Sequence, residues 1–431
     1  MLRSLLMPKK KKRKWYWQAL QALLGLLLVT ALPVSGFEVW RQSAIRNEQD
    51  ALNTEVAAVR TSFCREMSFP EYFNSRIKGN NGYEAYKRAC SMCGPCAMVE
   101  WHRARNVRVG WPAGFPSEHE QTQWLAASEP VAEAIRSAAS ADVIAYVYPT
   151  DSTPHDRGAW DLTGGWHLNR ILLARVELLL HRGDAQKAQV ELETLFRVNR
   201  SLRLPRSLIC GCDDFTEIAA ALVSRYRLSG DVLLRLLDLW PQIRPLVDFF
   251  EEELVYESWS AEHFYKEVRG DTWFAWVQDE YGSSFENPLA RRWRAASYGL
   301  EQRQRQRHEI RYLGQCVAAA RQGTDLSKGL PEMDEEGAQF PFIREFLQER
   351  WVGEHSALRI ALALRRAVFK LRLMEFSGPL AAQREAVLAL TEPGVSIRFE
   401  EDDCIVSLDA ATYPKLPFLY HGENYRLRPL K

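Results

Sequence analysis

The sequence has almost no excess of charge of either sign, since its 431 residues carry 56 Lys and Arg against 55 Asp and Glu. A chain whose whole surface binds nucleic acid carries a clear basic excess, and the composition does not support such a partner. No apolar stretch of about 18 residues follows residue 37, which excludes a multi-span membrane protein. With 46% hydrophobic and 26% charged residues, the chain is typical of a folded protein of two or three domains, or of one elongated array.

The sequence also lacks the short motifs by which common enzyme classes are recognised. It contains no G-x-S-x-G nucleophile elbow, no Walker A loop and no Rossmann glycine fingerprint. His119 and Glu120 could begin a zincin helix, but the second histidine of that motif is missing. These absences favour a protein without a catalytic function.

The first 37 residues differ from the rest, because they contain seven basic residues and no acidic one. Residues 15–37 form an uncharged segment of 23 residues, and about 20 apolar residues suffice to cross a bilayer as a helix. Trp15, Tyr16 and Trp17 stand at its edge, where aromatic rings prefer the headgroup level. We therefore expect a single-pass signal-anchor at 15–37, with residues 1–14 cytoplasmic and the body periplasmic or otherwise extracytoplasmic.

A cleaved signal peptide is the alternative interpretation of this segment. Val34, Ser35 and Gly36 offer small residues at a plausible cleavage site, and the body would then be secreted to the periplasm. In both cases residues 38–431 carry 49 basic and 55 acidic residues, a net charge of −6. This acidic body argues against nucleic acid as a partner.

Hydrophobic periodicity predicts a mainly α-helical body. Residues 166–181 have a leucine- and isoleucine-rich face, and residues 185–202 carry Ala188, Leu192, Leu195 and Phe196 on one stripe. The turn residues Gly183 and Asp184 separate the two segments, which predicts a helical hairpin. Its pattern and the closing Pro205 resemble a tetratricopeptide repeat. One such unit cannot bury its apolar face alone, so we expect neighbouring helices after it.

The period of apolar residues changes to two near the C-terminus. Val395–Glu400, Cys404–Leu408, Phe418–His421 and Tyr425–Leu427 are predicted to be short strands of a small antiparallel β tail. The expected parts of the chain are a basic tail 1–14, a transmembrane signal-anchor 15–37, a juxtamembrane helix with a cysteine- and tryptophan-rich irregular region 38–165, a helical-repeat-like domain 166–392 and a β-rich tail 393–431.

The cysteines are the residues with the widest choice of chemistry. Five of the eight lie in two tight motifs, Cys90-Ser-Met-Cys93-Gly-Pro-Cys96 and Cys210-Gly-Cys212. In an oxidising compartment an even number allows complete pairing, although the connectivity cannot be read from spacing. We expect disulfides that stabilise the fold. The disulfide candidates are Cys64, Cys90, Cys93, Cys96, Cys210, Cys212, Cys316 and Cys404.

A metal site is a second interpretation of the same cysteines. Cys93, Cys96, Cys210 and Cys212 would supply the four thiolates that tetrahedral zinc requires. Cys90 would add a three-thiolate corner for an iron–sulfur cluster. Apart from this alternative, with zinc as the favoured metal, the sequence predicts no cofactor.

A redox function is the third interpretation. Cys93-Gly94-Pro95-Cys96 is identical to the active-site tetrapeptide of the thioredoxin family. The resemblance implies a thiol–disulfide oxidoreductase with Cys93 as nucleophile and Cys96 as resolving cysteine. It covers only this tetrapeptide, and the polar, helix-like residues before it differ from the buried strand that precedes the motif in thioredoxins.

The layout as a whole resembles uncharacterised membrane-anchored helical-repeat proteins of planctomycete and verrucomicrobial bacteria. The resemblance rests on the hairpin at 170–205 and on the tail LPFLYHGENYRLRP at 416–429, which is similar to the C-terminal part of a pseudopilin. It implies location and architecture but no activity. The predicted function is a membrane-anchored interaction or scaffold module whose partner is a protein or an envelope polymer.

Overall fold

The structure is a computed structural model, and it describes residues 9–93, 117–153, 165–203, 208–241, 243–267, 288–390, 392, 394–409 and 424–429. The backbone alone is described at 9–15, 26–34, 165–167, 203, 208–214, 264–267, 288–299, 339 and 350.

The described residues are mainly helical, as the sequence predicts. The 13 α-helices found in them are α1 (Lys9–Ser62), α2 (Phe69–Ser75), α3 (Tyr83–Cys93), α4 (Glu118–Ala139), α5 (Gly165–His181), α6 (Ala185–Ser201), α7 (Leu208–Arg225), α8 (Gly230–Asp238), α9 (Leu246–Glu267), α10 (Pro288–Arg321), α11 (Pro341–Phe346), α12 (Glu354–Met374) and α13 (Arg384–Leu388). A π-helical segment, Leu347–Gly353, joins α11 to α12.

Two small sheets accompany the helices. Strands β1 (Ile144–Ala145) and β2 (Leu202–Arg203) pair in parallel. Strands β3 (Val395–Glu400), β4 (Asp403–Leu408) and β5 (Asn424–Leu427) form an antiparallel sheet in that order. The predicted antiparallel β tail is thus confirmed, while the strand predicted at Phe418–His421 lies outside the described residues.

Helix α1 contains the segment that the sequence predicts to be a membrane anchor. Among the helices of the described residues, none combines the length and the apolar composition needed to cross a membrane. The expected transmembrane helix is therefore not found in this part of the chain.

The chain divides into two compact units, each built from distant segments. The first unit consists of Met1–Ala58 and Ala261–Arg311, and the second of Val59–Ser260 and Tyr312–Lys431. The sequence predicts parts that are each one continuous segment of the chain, whereas each of these two units combines two separate segments.

A row of arginines joins α10 to α1 in the first unit. Arg303, Arg307 and Arg311 are four residues apart, so their side chains form one stripe on the helix. Arg307 donates to Glu48, and Nη2 of Arg311 lies 2.8 Å from Oε1 of Glu55. The glutamine- and arginine-rich part of α10 thus meets carboxylates of α1.

The predicted helical hairpin is present in the second unit as α5 and α6. Gly183 forms the turn between them with φ +81°, a conformation that glycine adopts without steric cost. The side-chain amides of Asn169 and Asn199 bond to each other inside the hairpin, with both N–O distances at 3.1 Å. This buried amide pair fixes how the two helices pack.

Two asparagine side chains hold the short extended run that follows α4. Asn81 donates to the Ala145 carbonyl at 2.8 Å and accepts from its amide at 3.1 Å. Asn74 does the same at Tyr148, with distances of 2.7 Å and 2.9 Å. Each asparagine side chain thus bonds to both the N–H and the C=O of one residue, as a neighbouring strand would. These bonds explain how so short a β segment is ordered.

Candidate functional site

Helices α7 and α12 pack side by side and position the candidate site. Nη1 of Arg365 donates to Oγ1 of Thr216 at 2.9 Å, and Nε of Arg372 donates to the Val223 carbonyl at 3.2 Å. Both bonds join residues 149 apart in sequence. The two helices therefore run in the same direction, in register over seven residues.

Arg372 is the centre of the contacts at the C-terminal end of this helix pair. Its side chain is 2% exposed, and it donates to the carbonyls of Val223 and Ser224 in the last turn of α7. Carbonyls in the last turn of a helix have no partner within the helix and carry its negative partial charge. The guanidinium of Arg372 supplies these carbonyls with hydrogen-bond donors and places a positive charge beside the negative end of the helix.

The same guanidinium holds two further parts of the fold. Nη1 lies 2.7 Å from both carboxylate oxygens of Glu375, in the 3-10 turn Glu375–Ser377 that follows α12. It also donates to the Arg428 carbonyl at 2.9 Å, directly after β5. Arg372 thereby joins α7, the end of α12 and the C-terminal sheet, and Glu375 balances its charge.

A pocket of about 500 Å³ opens beside Arg372. Pockets that bind small molecules commonly have volumes of about 300–1,000 Å³ and mostly apolar walls with a few polar groups. The residues that line it are Val223, Tyr226, Arg227, Leu228, Leu233, Arg372, Glu375, Phe376, Gly378, Pro379, Leu380, Ala381, Asp402, Leu427 and Pro429.

Three short connections form the rim of the pocket. Ser229 caps α8 by accepting from the Val232 amide, and this ends the connection from α7. Gly378 has φ +140°, which only glycine adopts readily, and turns the chain after α12. Glu401 and Asp402 form the loop between β3 and β4, with Glu401 at φ +57°.

The rim carries a cation and a phenol. The guanidinium of Arg227 lies over the Phe376 ring, 5.6 Å from its centroid, and the side chain of Arg227 is otherwise exposed. Burial raises the pKa of Tyr226 to about 12, and nearby Glu177 acts in the same direction. The Tyr226 hydroxyl therefore stays protonated at neutral pH and can donate a hydrogen bond.

Of the five clustered cysteines, Cys90 and Cys93 are the two whose side chains the structure describes. Cys93 ends α3 and is 3% exposed, and Cys90 lies half-buried one turn earlier. Cys96 lies outside the described residues, and Cys210 and Cys212 belong to α7 where only the backbone is described. Among the described side chains, no group of three or more His, Cys, Asp and Glu could hold a metal. The zinc and iron–sulfur sites stay predictions.

Only the first cysteine of the thioredoxin-like motif lies among the described residues. Cys93 belongs to α3 and is 3% exposed. The redox role of Cys93 and Cys96 stays a prediction.

Three other disulfide candidates are free thiols in the structure. Cys64, Cys316 and Cys404 are each 0% exposed. Burial raises the pKa of these thiols to about 11, 12 and 11, respectively. They pack as small apolar side chains, and the structure gives no support to disulfides at these positions.

No protein-family model, curated protein or solved structure matches this chain. Sequence reasoning did not single out Arg372, Glu375, Arg227 or Asp402. The only available signal was the spacing of seven between Arg365 and Arg372 within an otherwise apolar helical face.

We predict that Arg372→Met lowers the free energy of unfolding by about 3–5 kcal/mol, because Glu375 and the end of α7 lose a buried charged partner. Urea-induced unfolding followed by far-UV circular dichroism measures this change. Arg384→Met is the matched control: Arg384 is exposed and lies over the Phe399 ring at 4.7 Å, so its loss should cost about 1 kcal/mol or less. Equal losses in the two variants would contradict the central position of Arg372.

We further predict that Cys64, Cys316 and Cys404 resist N-ethylmaleimide at pH 8 in the folded protein and react fully after unfolding. Peptide mapping by mass spectrometry identifies the labelled sites. A raised pKa in the folded state means that these thiols stabilise the fold below the unfolded pKa of about 9. This stability is lost as pH rises from about 9 towards 11. Rapid labelling of any of these three cysteines in the folded protein would show that this cysteine is not buried.

Proposed function

We propose that the protein is a single-pass membrane protein whose extracytoplasmic helical body binds a protein or envelope-polymer partner. The observation that carries this proposal is the exposure of apolar side chains near the start of α1. Of the 14 large apolar side chains exposed in the described residues, seven lie between residues 16 and 40. They include Trp17 at 63% and Leu23 at 57% exposure.

Contiguous exposed apolar side chains mark membrane or protein interaction sites. The exposed side chains of Leu20, Leu23 and Leu24 are followed in the sequence by Leu26–Val34, where only the backbone is described. The basic residues before Trp15 favour a cytoplasmic N-terminus. Together these features support a signal-anchor and an extracytoplasmic body.

The helical hairpin supports an interaction function for that body. Tetratricopeptide-like arrays present extended surfaces to their partners, and α5–α6 is proposed to be one unit of this kind. Apolar Val190 on α6 and Leu234 on α8 are 55% and 50% exposed. An ion pair of 2.9 Å between Arg235 and Glu193 joins the same two helices. This surface of α6 and α8 is the proposed contact region.

We expect a Leu23→Lys/Leu24→Lys variant to leave the membrane fraction of expressing cells. A lysine at the centre of a membrane helix costs about 2.5–3.5 kcal/mol, so two should prevent stable insertion. Carbonate extraction followed by immunoblotting separates inserted from soluble protein. The intact mass of the wild type in the same preparation distinguishes an uncleaved anchor from cleavage near Ser35.

The control for this experiment is Val147→Lys/Leu388→Lys, which places the same charges on apolar side chains that are 51% and 42% exposed in the second unit. This control should remain membrane-bound. Recovery of the wild type in the soluble fraction with its full mass would refute the anchor.

We also expect a photo-crosslinking residue at position 190 or 234 to give a discrete adduct with the partner in intact cells. The same residue at Lys328, at the end of the 3-10 turn Leu326–Lys328 and with 83% of its side chain exposed, is the control for nonspecific capture. An adduct at 190 or 234 but not at 328 supports the proposed contact region. No adduct at 190 and 234, or an identical pattern at all three positions, would refute it.

A further inference from the structure

Four charged residues line the pocket beside the C-terminal sheet: Arg372, Glu375, Arg227 and Asp402. Arg372 and Glu375 pair with each other within the fold. Arg372 and Glu375 neutralise each other through two bonds of 2.7 Å. Within the part of the chain that the structure describes, Arg227 and Asp402 form no ion pair, and both are exposed. A ligand in this pocket would therefore meet one available cation and one available anion.

The two available charges come from connections that are far apart in the sequence. Arg227 belongs to the connection between α7 and α8, and its guanidinium is oriented by the Phe376 ring 5.6 Å away. Asp402 belongs to the short loop between β3 and β4. The hydroxyl of Tyr226, next to Arg227, forms no hydrogen bond with a described residue and adds a neutral donor for an anionic group.

Much of the rest of the pocket wall is apolar. Leu228, Leu233, Leu380 and Leu427 line the pocket and are 4%, 1%, 4% and 1% exposed. Because these leucines are already almost fully buried, an apolar ligand body would gain mainly close packing against their few exposed atoms. The volume of about 500 Å³ accommodates a small molecule rather than a folded partner.

We propose that this pocket binds a zwitterionic small molecule with an apolar body, of the class of free amino acids with aromatic or aliphatic side chains. The carboxylate pairs with Arg227 and accepts from the Tyr226 hydroxyl. The ammonium group pairs with Asp402, and the side chain lies against the leucines. This inference does not depend on the membrane anchor or on the partner surface of α6 and α8.

The test uses isothermal titration calorimetry on the purified full chain, with injections of each probe into protein-free buffer as the blank. Three probes separate the two charges: phenylalanine, N-acetylphenylalanine without the ammonium group, and phenylalaninamide without the carboxylate. The variants are Arg227→Gln and Asp402→Asn. Arg384→Gln is the matched control, because Arg384 also lies over an aromatic ring but does not line the pocket.

The expected result is a crossed pattern. Phenylalanine binds about fivefold to tenfold more tightly than either analogue, as expected for charged contacts near a surface. Arg227→Gln weakens phenylalanine and N-acetylphenylalanine but not phenylalaninamide, and Asp402→Asn weakens phenylalanine and phenylalaninamide but not N-acetylphenylalanine. Arg384→Gln changes none of them.

Any other pattern overturns the proposal. Equal affinities for the three probes would show that the two charges are not recognised. Variants that weaken all probes equally would show an effect on packing, and unfolding midpoints of the variants measured in parallel identify such a case. Absence of saturable binding of phenylalanine would show that the pocket does not bind this class of ligand.

Discussion

The buried guanidinium of Arg372 is the interaction on which the C-terminal half of the second unit depends. It donates to the last turn of α7, to Glu375 after α12 and to the Arg428 carbonyl after β5. A cation that is 2% exposed is tolerated only when its hydrogen bonds are made. If β5 or the end of α7 were displaced, the same charge would lie buried with fewer acceptors. These three parts of the fold therefore form together.

The pairing of Arg372 also defines which charges are left for binding. Arg365, which lies seven residues earlier on the same stripe of α12, is 0% exposed; it donates to Thr216 and lies 3.9 Å from Glu217. Arg365 and Arg372, two of the arginines of α12, are thus used in packing against α7. Arg227 and Asp402 differ from these two buried arginines. They lie on connections outside the helix pair, and both are exposed to solvent. Helices and strand β5 supply part of the pocket wall, such as Val223, Leu233 and Leu427, and the connections supply groups that can recognise a ligand.

The sequence predicted the features that depend on local periodicity. The hairpin of α5 and α6 and the antiparallel β tail follow from the spacing of apolar residues, and both are present. The position of Arg372 could not be predicted, because two of its acceptors are backbone carbonyls about 149 residues away. Every residue has a backbone carbonyl, so the sequence does not mark the ones that accept from Arg372. Arg372 itself stands among other basic residues of α12, so its burial is visible only after α7 is placed beside it.

Cysteine spacing in the sequence favours disulfides, a metal site or redox chemistry, since each requires thiols that are close together. Cys64, Cys316 and Cys404 instead pack in the core as small apolar side chains. Burial raises the pKa of each thiol, so all three stay protonated and uncharged at neutral pH. The combination of residues that meet in a pocket depends on distant segments, here α7, α12 and the C-terminal strands. Composition and spacing describe only neighbours in sequence.

The pocket and the docking of the sheet share the same residues, which couples ligand binding to stability. Leu427 of β5 and Pro429 line the pocket, and the carbonyl of Arg428 between them accepts from Arg372. A ligand that contacts this wall binds the docked sheet and not the displaced one. At a concentration of 100 times Kd, such a ligand would stabilise the docked state by about 2.7 kcal/mol. The contact that holds β5 in place is therefore also the contact through which occupancy of the pocket would be transmitted to α7 and α12.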